Sequence, residues 1–190
     1  EIVGEKNTIA TIIENVAWEY CIPVTIGRGY CSGPPRKQIV DRFEASGKER
    51  LLLLVLSDHD PDGNEIAESL KRSFRGDFGV QPERLTAIRA ALTAEQVDEL
   101  GLPASSEKAK RTSSNYTSFV QRFGEDVYEL EAVQPKDLQA MLRQEIESVL
   151  DWDAFQHEQD QQEEDIDRIA QARAAVRKAL EVISLEGGED

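Results

Sequence analysis

A chain of 190 residues with 37 Asp and Glu against 22 Lys and Arg carries a net charge of −15, which argues against a protein that binds nucleic acid over its whole face. An apolar share of 39% is enough for one sizeable core. No apolar run reaches membrane-spanning length and no signal-peptide pattern is present, so a soluble cytoplasmic or nucleoid-associated protein with no membrane partner is expected. Two cysteines, Cys21 and Cys31, lack a CxxC pairing and have only His59 and His157 to help them, which points to reduced thiols and not zinc.

In chain order, Glu1 to Gly4 predicts a short strand that ends at Glu5-Lys6, and an opening on Glu1 instead of Met suggests a piece of something longer. Asn7 or Thr8 can cap a helix to about Tyr20, with Ile9, Ile12, Ile13 and Val16 on one face. Ile22 to Ile26 predicts a second strand, followed by the loop Gly27-Arg-Gly-Tyr-Cys-Ser-Gly-Pro-Pro35 and a helix from Arg36 to about Ala45. Leu51 to Leu56 are six apolar residues in a row, the pattern of a strand buried on both faces in a parallel sheet.

That strand runs into Asp58, Asp60 and Asp62, with Pro61 and Gly63 bending the chain before a helix over 64–75. The acids therefore fall where a strand hands over to a helix, at the carboxyl end of a sheet, where open α/β folds hold their ligands. Three neighbouring carboxylates repel one another unless a cation or a proton intervenes. An oxygen-rich cluster of this kind suits Mg²⁺ or Mn²⁺. The run also meets the first half of a calcium loop, but its twelfth position is Ser69, its eighth is Glu65, and a strand precedes it, so an EF-hand is rejected.

Leu85 to Ala91 predicts a fourth strand, and Thr93-Ala-Glu-Gln96 a capping box that opens a short helix. Residues 101–115 read as a polar loop carrying Lys108, Lys110 and Arg111, and Asp126 to Val133 as a fifth strand. Pro135 takes the first position of a helix to Leu150. From Phe155 to about Ile183 a long polar helix is expected, with a thin apolar stripe of Ile166, Ile169, Ala170, Val176 and Leu180 that needs a partner surface. Residues 155–190 hold 10 acids and 4 bases, and Glu186 to Asp190 reads as a frayed tail. The expected fold is α/β: a parallel sheet of four to five strands with flanking helices over 1–150, then a long acidic helix and tail over 151–190 for packing or oligomerisation, a homodimer among the expected partners.

Val3-Gly-Glu-Lys6, Val24-Thr-Ile-Gly-Arg-Gly29 and Ser57-Asp-His-Asp-Pro-Asp-Gly63, taken in that order, resemble a Toprim domain. The likeness is to that of the A subunit of topoisomerase VI and the meiotic recombinase group. Leu92 to Pro103, Lys110-Arg-Thr112 and Tyr128 to Pro135 are similar to that group too, so the resemblance spans roughly 1–150 with gaps. It implies a Rossmann-like sheet and Mg²⁺- or Mn²⁺-dependent phosphoryl transfer on DNA, of the nuclease or topoisomerase kind. Glu5, Asp58 and Asp60 would be catalytic and metal-binding, Asp62 a further ligand, and Lys6, Arg28, Lys110 and Arg111 DNA contacts.

The resemblance has gaps of its own. Type IIB enzymes carry the nucleophilic Tyr on a preceding winged-helix domain, and Tyr20, Tyr30, Tyr116 and Tyr128 all fall inside the Toprim-like stretch. DNA binding and any nucleophile are therefore expected from a preceding domain. Two other readings stay open: a non-catalytic assembly module whose acids are loop caps, and a DHH-type phosphoesterase, which needs His59 as a ligand. Trp18 and Trp152 read as packing residues.

Overall fold

The computed structural model describes residues 1–186, with side chains described up to Lys178 and at Leu180. Residues 187–190, on which the expectation of a frayed tail falls, lie outside the described residues. Two compact units emerge, Glu1–Ile146 and Glu147–Asp190.

In the first unit four strands, β1 (Ile2–Gly4), β2 (Val24–Ile26), β3 (Leu51–Leu56) and β4 (Leu85–Ala91), form one all-parallel sheet in the order β2-β1-β3-β4. Helix α1 (Ala10–Glu19) links β1 to β2, α2 (Gly33–Ser46) returns past β1 to β3, and α3 (Gly63–Gly76) leads to β4. The chain thus moves to one side of β1 and then to the other. The strand order reverses between β1 and β3, and at such a switch point the carboxyl ends of neighbouring strands diverge into a crevice.

Side-chain alternation along the strands explains the two layers of core. Ile2, Leu54 and Leu56 face one way and pack with Ile9, Ile13 and Val16 of the first helical segment and with Leu138, Leu142 and Ile146 of α6 (Pro135–Val149). Val3, Leu53 and Val55 face the other way, against Ile39 and Phe43 of α2 and Ile66, Leu70 and Phe74 of α3. The six-residue apolar run is therefore buried on both faces, as its composition requires.

Thr93 caps α4 (Ala94–Leu100) through the expected box: its hydroxyl accepts from the Gln96 N–H, and the Gln96 side chain accepts from the Thr93 N–H. Three expectations are corrected. The first turn of the first helix is a 3-10 turn, Asn7–Ile9, with Lys6 ahead of it and no side-chain cap; the Thr8 hydroxyl instead donates to Glu131 Oε1 at 2.8 Å. Asp126 to Val133 is not a fifth strand. It makes isolated antiparallel bridges, His59 with Tyr128 and Lys108 with Asp126, and then a 3-10 turn at Leu130–Ala132. Trp18 is 82% exposed on α1 and packs in no core.

An unexpected helix, α5 (Tyr116–Phe123), brings Phe119 and Phe123 over His59. In the second unit α7 (Trp152–Glu186) is a single helix of 35 residues, with the rings of Trp152 and Phe155 in a T-shaped contact. Among the described residues no helix is long and apolar enough to cross a membrane. Cys21 is exposed, Cys31 is buried, and both are free thiols.

Candidate metal centre

Glu5 follows β1 and Asp58 follows β3, and parallel pairing carries both to the same edge: the Glu5 N–H donates to Leu56 O, one residue beyond the Gly4–Leu56 register pair. The Asp58 N–H then donates to Glu5 Oε2 at 3.0 Å. Glu5, Lys6, Asp58 and Asp60 line one cleft of about 190 Å³, with Glu107, Lys108, Lys110 and Glu129 among its other walls. Four of the eight residues expected from the sequence therefore share a cleft with a fifth, Lys110.

Asp58 is tightly engaged. It is only 6% exposed, its Oδ1 accepts the buried Leu130 N–H at 2.9 Å, and its Oδ2 lies 2.7 Å from Lys6 Nζ. Lys6 also meets Glu131 Oε2 at 2.9 Å. Burial works against the Lys6 ammonium, but the bonds to Asp58 and Glu131 outweigh it and raise its pKa above the ordinary value.

Asp60 Oδ1 accepts the Gly63 N–H at 2.6 Å, and the Asp60 carbonyl accepts the Asn64 N–H, so Asp60 closes the turn into α3. Burial, with the charges of Asp58 and Asp62 behind it, raises the Asp60 carboxyl above its ordinary range. Glu5 is pushed up to about 7, first by burial and then by the charges of Asp58 and Asp60, against the pull of the Asp58 N–H. These two acids sit in a surplus of negative charge, and an oxygen-donor cation relieves such a surplus. Even so, among the described residues no three Asp, Glu, His or Cys gather as a metal-holding group. Both oxygens of Asp58 are already engaged, by Lys6 and by the Leu130 N–H. Glu5, Asp58 and Asp60 offer oxygen donors of the kind that Mg²⁺ and Mn²⁺ take, and Lys6 already stands against Asp58.

The remaining expected residues go elsewhere. Asp62 turns toward Ser113, whose hydroxyl donates to Oδ1 at 2.6 Å, and toward the Tyr30 hydroxyl at 3.3 Å. Burial and the Asp62 charge push Tyr30 up to about 12, so it is a neutral phenol at physiological pH. Arg28 is exposed on the loop after β2, with φ of 51°. Arg111 is exposed, 3.6 Å from Glu125, and Lys108 pairs with Asp126.

Arg89, which the sequence did not single out, and His59, named there as the ligand of the phosphoesterase reading, complete the setting. Arg89, on β4 beside Val55, donates from Nη2 to Asp58 O at 2.6 Å, while its buried Nε finds no acceptor among the described residues. Burial pulls the guanidinium down to about 10; Asp60, Glu5 and Asp58 keep it charged at neutral pH. His59 is a packing residue. Its ring lies 4.9 Å from Phe123, 5.3 Å from Phe119 and 6.0 Å from Tyr128, and Nδ1 donates to Leu92 O at 3.3 Å. Burial pulls it down to about 4, so it is neutral at physiological pH.

A raised carboxyl has a signed consequence for stability. Between the ordinary value of 4.5 and about 7 the folded chain holds a proton on Glu5 that the unfolded chain has released. Stability therefore falls as pH rises through that window, by roughly 1 kcal/mol after allowance for partial solvent screening. Glu5→Gln should remove that slope, as read from urea midpoints at pH 4.5, 6 and 7.5. A slope unchanged in the variant would place the titration on another group.

No protein-family model matches this chain, and no curated protein does. The class that fold and cleft define is an α/β domain with an acidic cleft at the switch point of a parallel sheet.

Proposed function

We propose that this chain is the Toprim-like, Mg²⁺- or Mn²⁺-dependent part of a DNA-acting enzyme, a nuclease or topoisomerase-like protein in which a preceding domain supplies DNA binding and any nucleophile. The observation that supports it most is the shared cleft of Glu5, Asp58 and Asp60 at the reversal of strand order between β1 and β3. A divalent cation held by Glu5, Asp60 and Asp58 would neutralise charge on a phosphate.

The chain's own groups have distinct tasks in this reading. While no cation is bound, Glu5, pushed up to about 7, can hold or release a proton at neutral pH; a cation held on the same carboxylate would displace that proton. Its Oε2 is occupied by the Asp58 N–H, which leaves Oε1 as the atom that takes or returns the proton. Lys6 and the Leu130 N–H fix the Asp58 rotamer, and Arg89 fixes the Asp58 carbonyl. Lys110 and Lys108, which line the same cleft, offer charge to a phosphate backbone, which an otherwise acidic chain needs locally.

A second reading, a non-catalytic assembly module, is favoured by one observation: Lys6 already neutralises Asp58, as it would in a structural ion pair. The phosphoesterase alternative loses its ligand, because His59 is packed among aromatic rings.

Calorimetric titration of Mg²⁺ and Mn²⁺ separates the two readings. Glu5→Gln/Asp60→Asn is the informative variant, since both amides keep an oxygen to accept the Asp58 and Gly63 N–H groups. Metal binding lost in that variant supports the enzyme reading. An absence of binding to the unaltered chain at millimolar metal, with and without a short DNA duplex, would leave the assembly module standing.

A further inference from the structure

We infer that α7 is one half of an antiparallel two-helix coiled coil, and that its partner is the same helix of a second copy of this chain. Every described side chain of α7 except the half-buried Phe155 is exposed. Ile166, Ile169, Val176 and Leu180 are 56%, 53%, 60% and 58% exposed. An exposed apolar row of this length on one helix marks an association surface.

The spacing identifies the kind of surface. Trp152, Phe155, Gln159, Gln162, Ile166, Ile169, Arg173, Val176 and Leu180 follow one another in alternating steps of three and four, the seam of a two-helix coiled coil. From 152 to 167 the helix carries seven acids and no Lys or Arg, yet not one of the seven falls on this seam. A solvated acidic helix has no reason to keep a continuous uncharged seam through such a segment. Arg173 is the only charged residue on it, and its stem and that of Arg177 border the apolar patch of Ile169, Val176 and Leu180. Such stems can lie along an apolar seam while their heads reach water.

Charge decides both the partner and the direction. From 168 to 180 the order of charge inverts: Arg168, Arg173, Arg177 and Lys178, with no acid. A parallel pair would set seven acids beside seven acids. An antiparallel pair, centred on the Asp167–Arg168 junction, sets each acidic half against a basic half. The same centre that matches the charges also matches the seam. Ile166 then faces Ile169 of the second copy, Gln162 faces Arg173, Gln159 faces Val176, Phe155 faces Leu180, and Glu163 comes near Arg177. One register serves both patterns, and this coincidence selects a second copy over an unrelated helix.

Light scattering coupled to size-exclusion chromatography tests the pairing on the whole chain. The unaltered chain should elute with twice the mass of a single chain, and shift toward single-chain mass in high salt, where the Debye length shrinks to about 3 Å at 1 M. Ile169→Lys/Val176→Lys should lose the dimer while the circular dichroism of the sheet unit stays unchanged, because both positions are on the surface. Direction is read by disulfide trapping in a Cys21→Ser background: a Gln162→Cys chain mixed with an Arg173→Cys chain should cross-link 162 to 173. Single-chain mass at all concentrations would overturn the inference, as would a dimer indifferent to Ile169→Lys/Val176→Lys. A predominance of 162–162 cross-links would overturn the antiparallel direction.

Discussion

Gly63→Ala is expected to destabilise the chain by about 3 kcal/mol, a lowering of roughly 6–12 °C in melting temperature for a domain of this size. Gly63 is the first residue of α3, a position where alanine ordinarily helps a helix. Here space forbids it. A Cβ at Gly63 would lie 2.2 Å from Asp58 O, 3.0 Å from the Asp58 carbonyl carbon and 3.1 Å from Asp60 Oδ1. The first two are backbone, which cannot swing aside as a side chain can, and the Asp58 carbonyl is further pinned by Arg89 Nη2. The Gly63 carbonyl is itself held by the Ser57 hydroxyl at 2.8 Å. Relief therefore has to come from opening the turn that carries all three aspartates.

Gly33→Ala is the matched control for that measurement. Gly33 also opens a helix, α2, and a Cβ there meets nothing within 4 Å. A midpoint shift of equal size in both variants would mean that crowding at Gly63 is not the cause.

How far the sequence carries the fold can be judged from particular stretches. The run 51–56 announces a doubly buried strand because it is short, apolar and free of polar alternation, and the Thr93–Gln96 box announces a helix start because its two hydrogen bonds are local. Residues 126–133 mislead for an equally physical reason. Their buried members are Val127, Leu130 and Val133, a period of three and not two. The segment is held by contacts that no local pattern encodes, the Tyr128 bridge to His59 and the Leu130 N–H to Asp58. Helix α5 had a signal, Phe119 and Phe123 four residues apart, with Tyr116 and Val120 packed beside them, but the loop before it is polar and Asn115 supplies no side-chain cap.

The candidate site divides in the same way. Alternating aspartates after a buried strand place acids at a sheet edge on local grounds alone. That Lys6 would span Asp58 and Glu131, or that Arg89 would reach under the acidic turn from the next strand, depends on register between distant segments. Arg89 in particular sits in a strand whose neighbours are apolar, and only the spatial pairing with Val55 reveals what it holds.

Asp58 should prove structural as well as chemical, and the size of the effect separates the two roles. Asp58→Ala removes the acceptor of the buried Leu130 N–H and one of the two anions on Lys6. An orphaned buried donor costs about 1–3 kcal/mol, and a partly buried ion pair broken from one side adds to it, so a total of roughly 3 kcal/mol is expected in urea denaturation. Asp58→Asn keeps an oxygen for the Leu130 N–H, while its amide NH2 replaces the oxygen opposite Lys6, which turns to its remaining partner, Glu131. The loss in Asp58→Asn should be about 1 kcal/mol. Two equal losses would mean that the Lys6 pair, and not the Leu130 bond, carries the energy. The difference bears on function, because activity lost in Asp58→Ala can arise from a displaced 130–132 turn. Activity lost in a stably folded Asp58→Asn, with Leu130 still anchored, points to the missing carboxylate and its pairing with Lys6, and not to that turn.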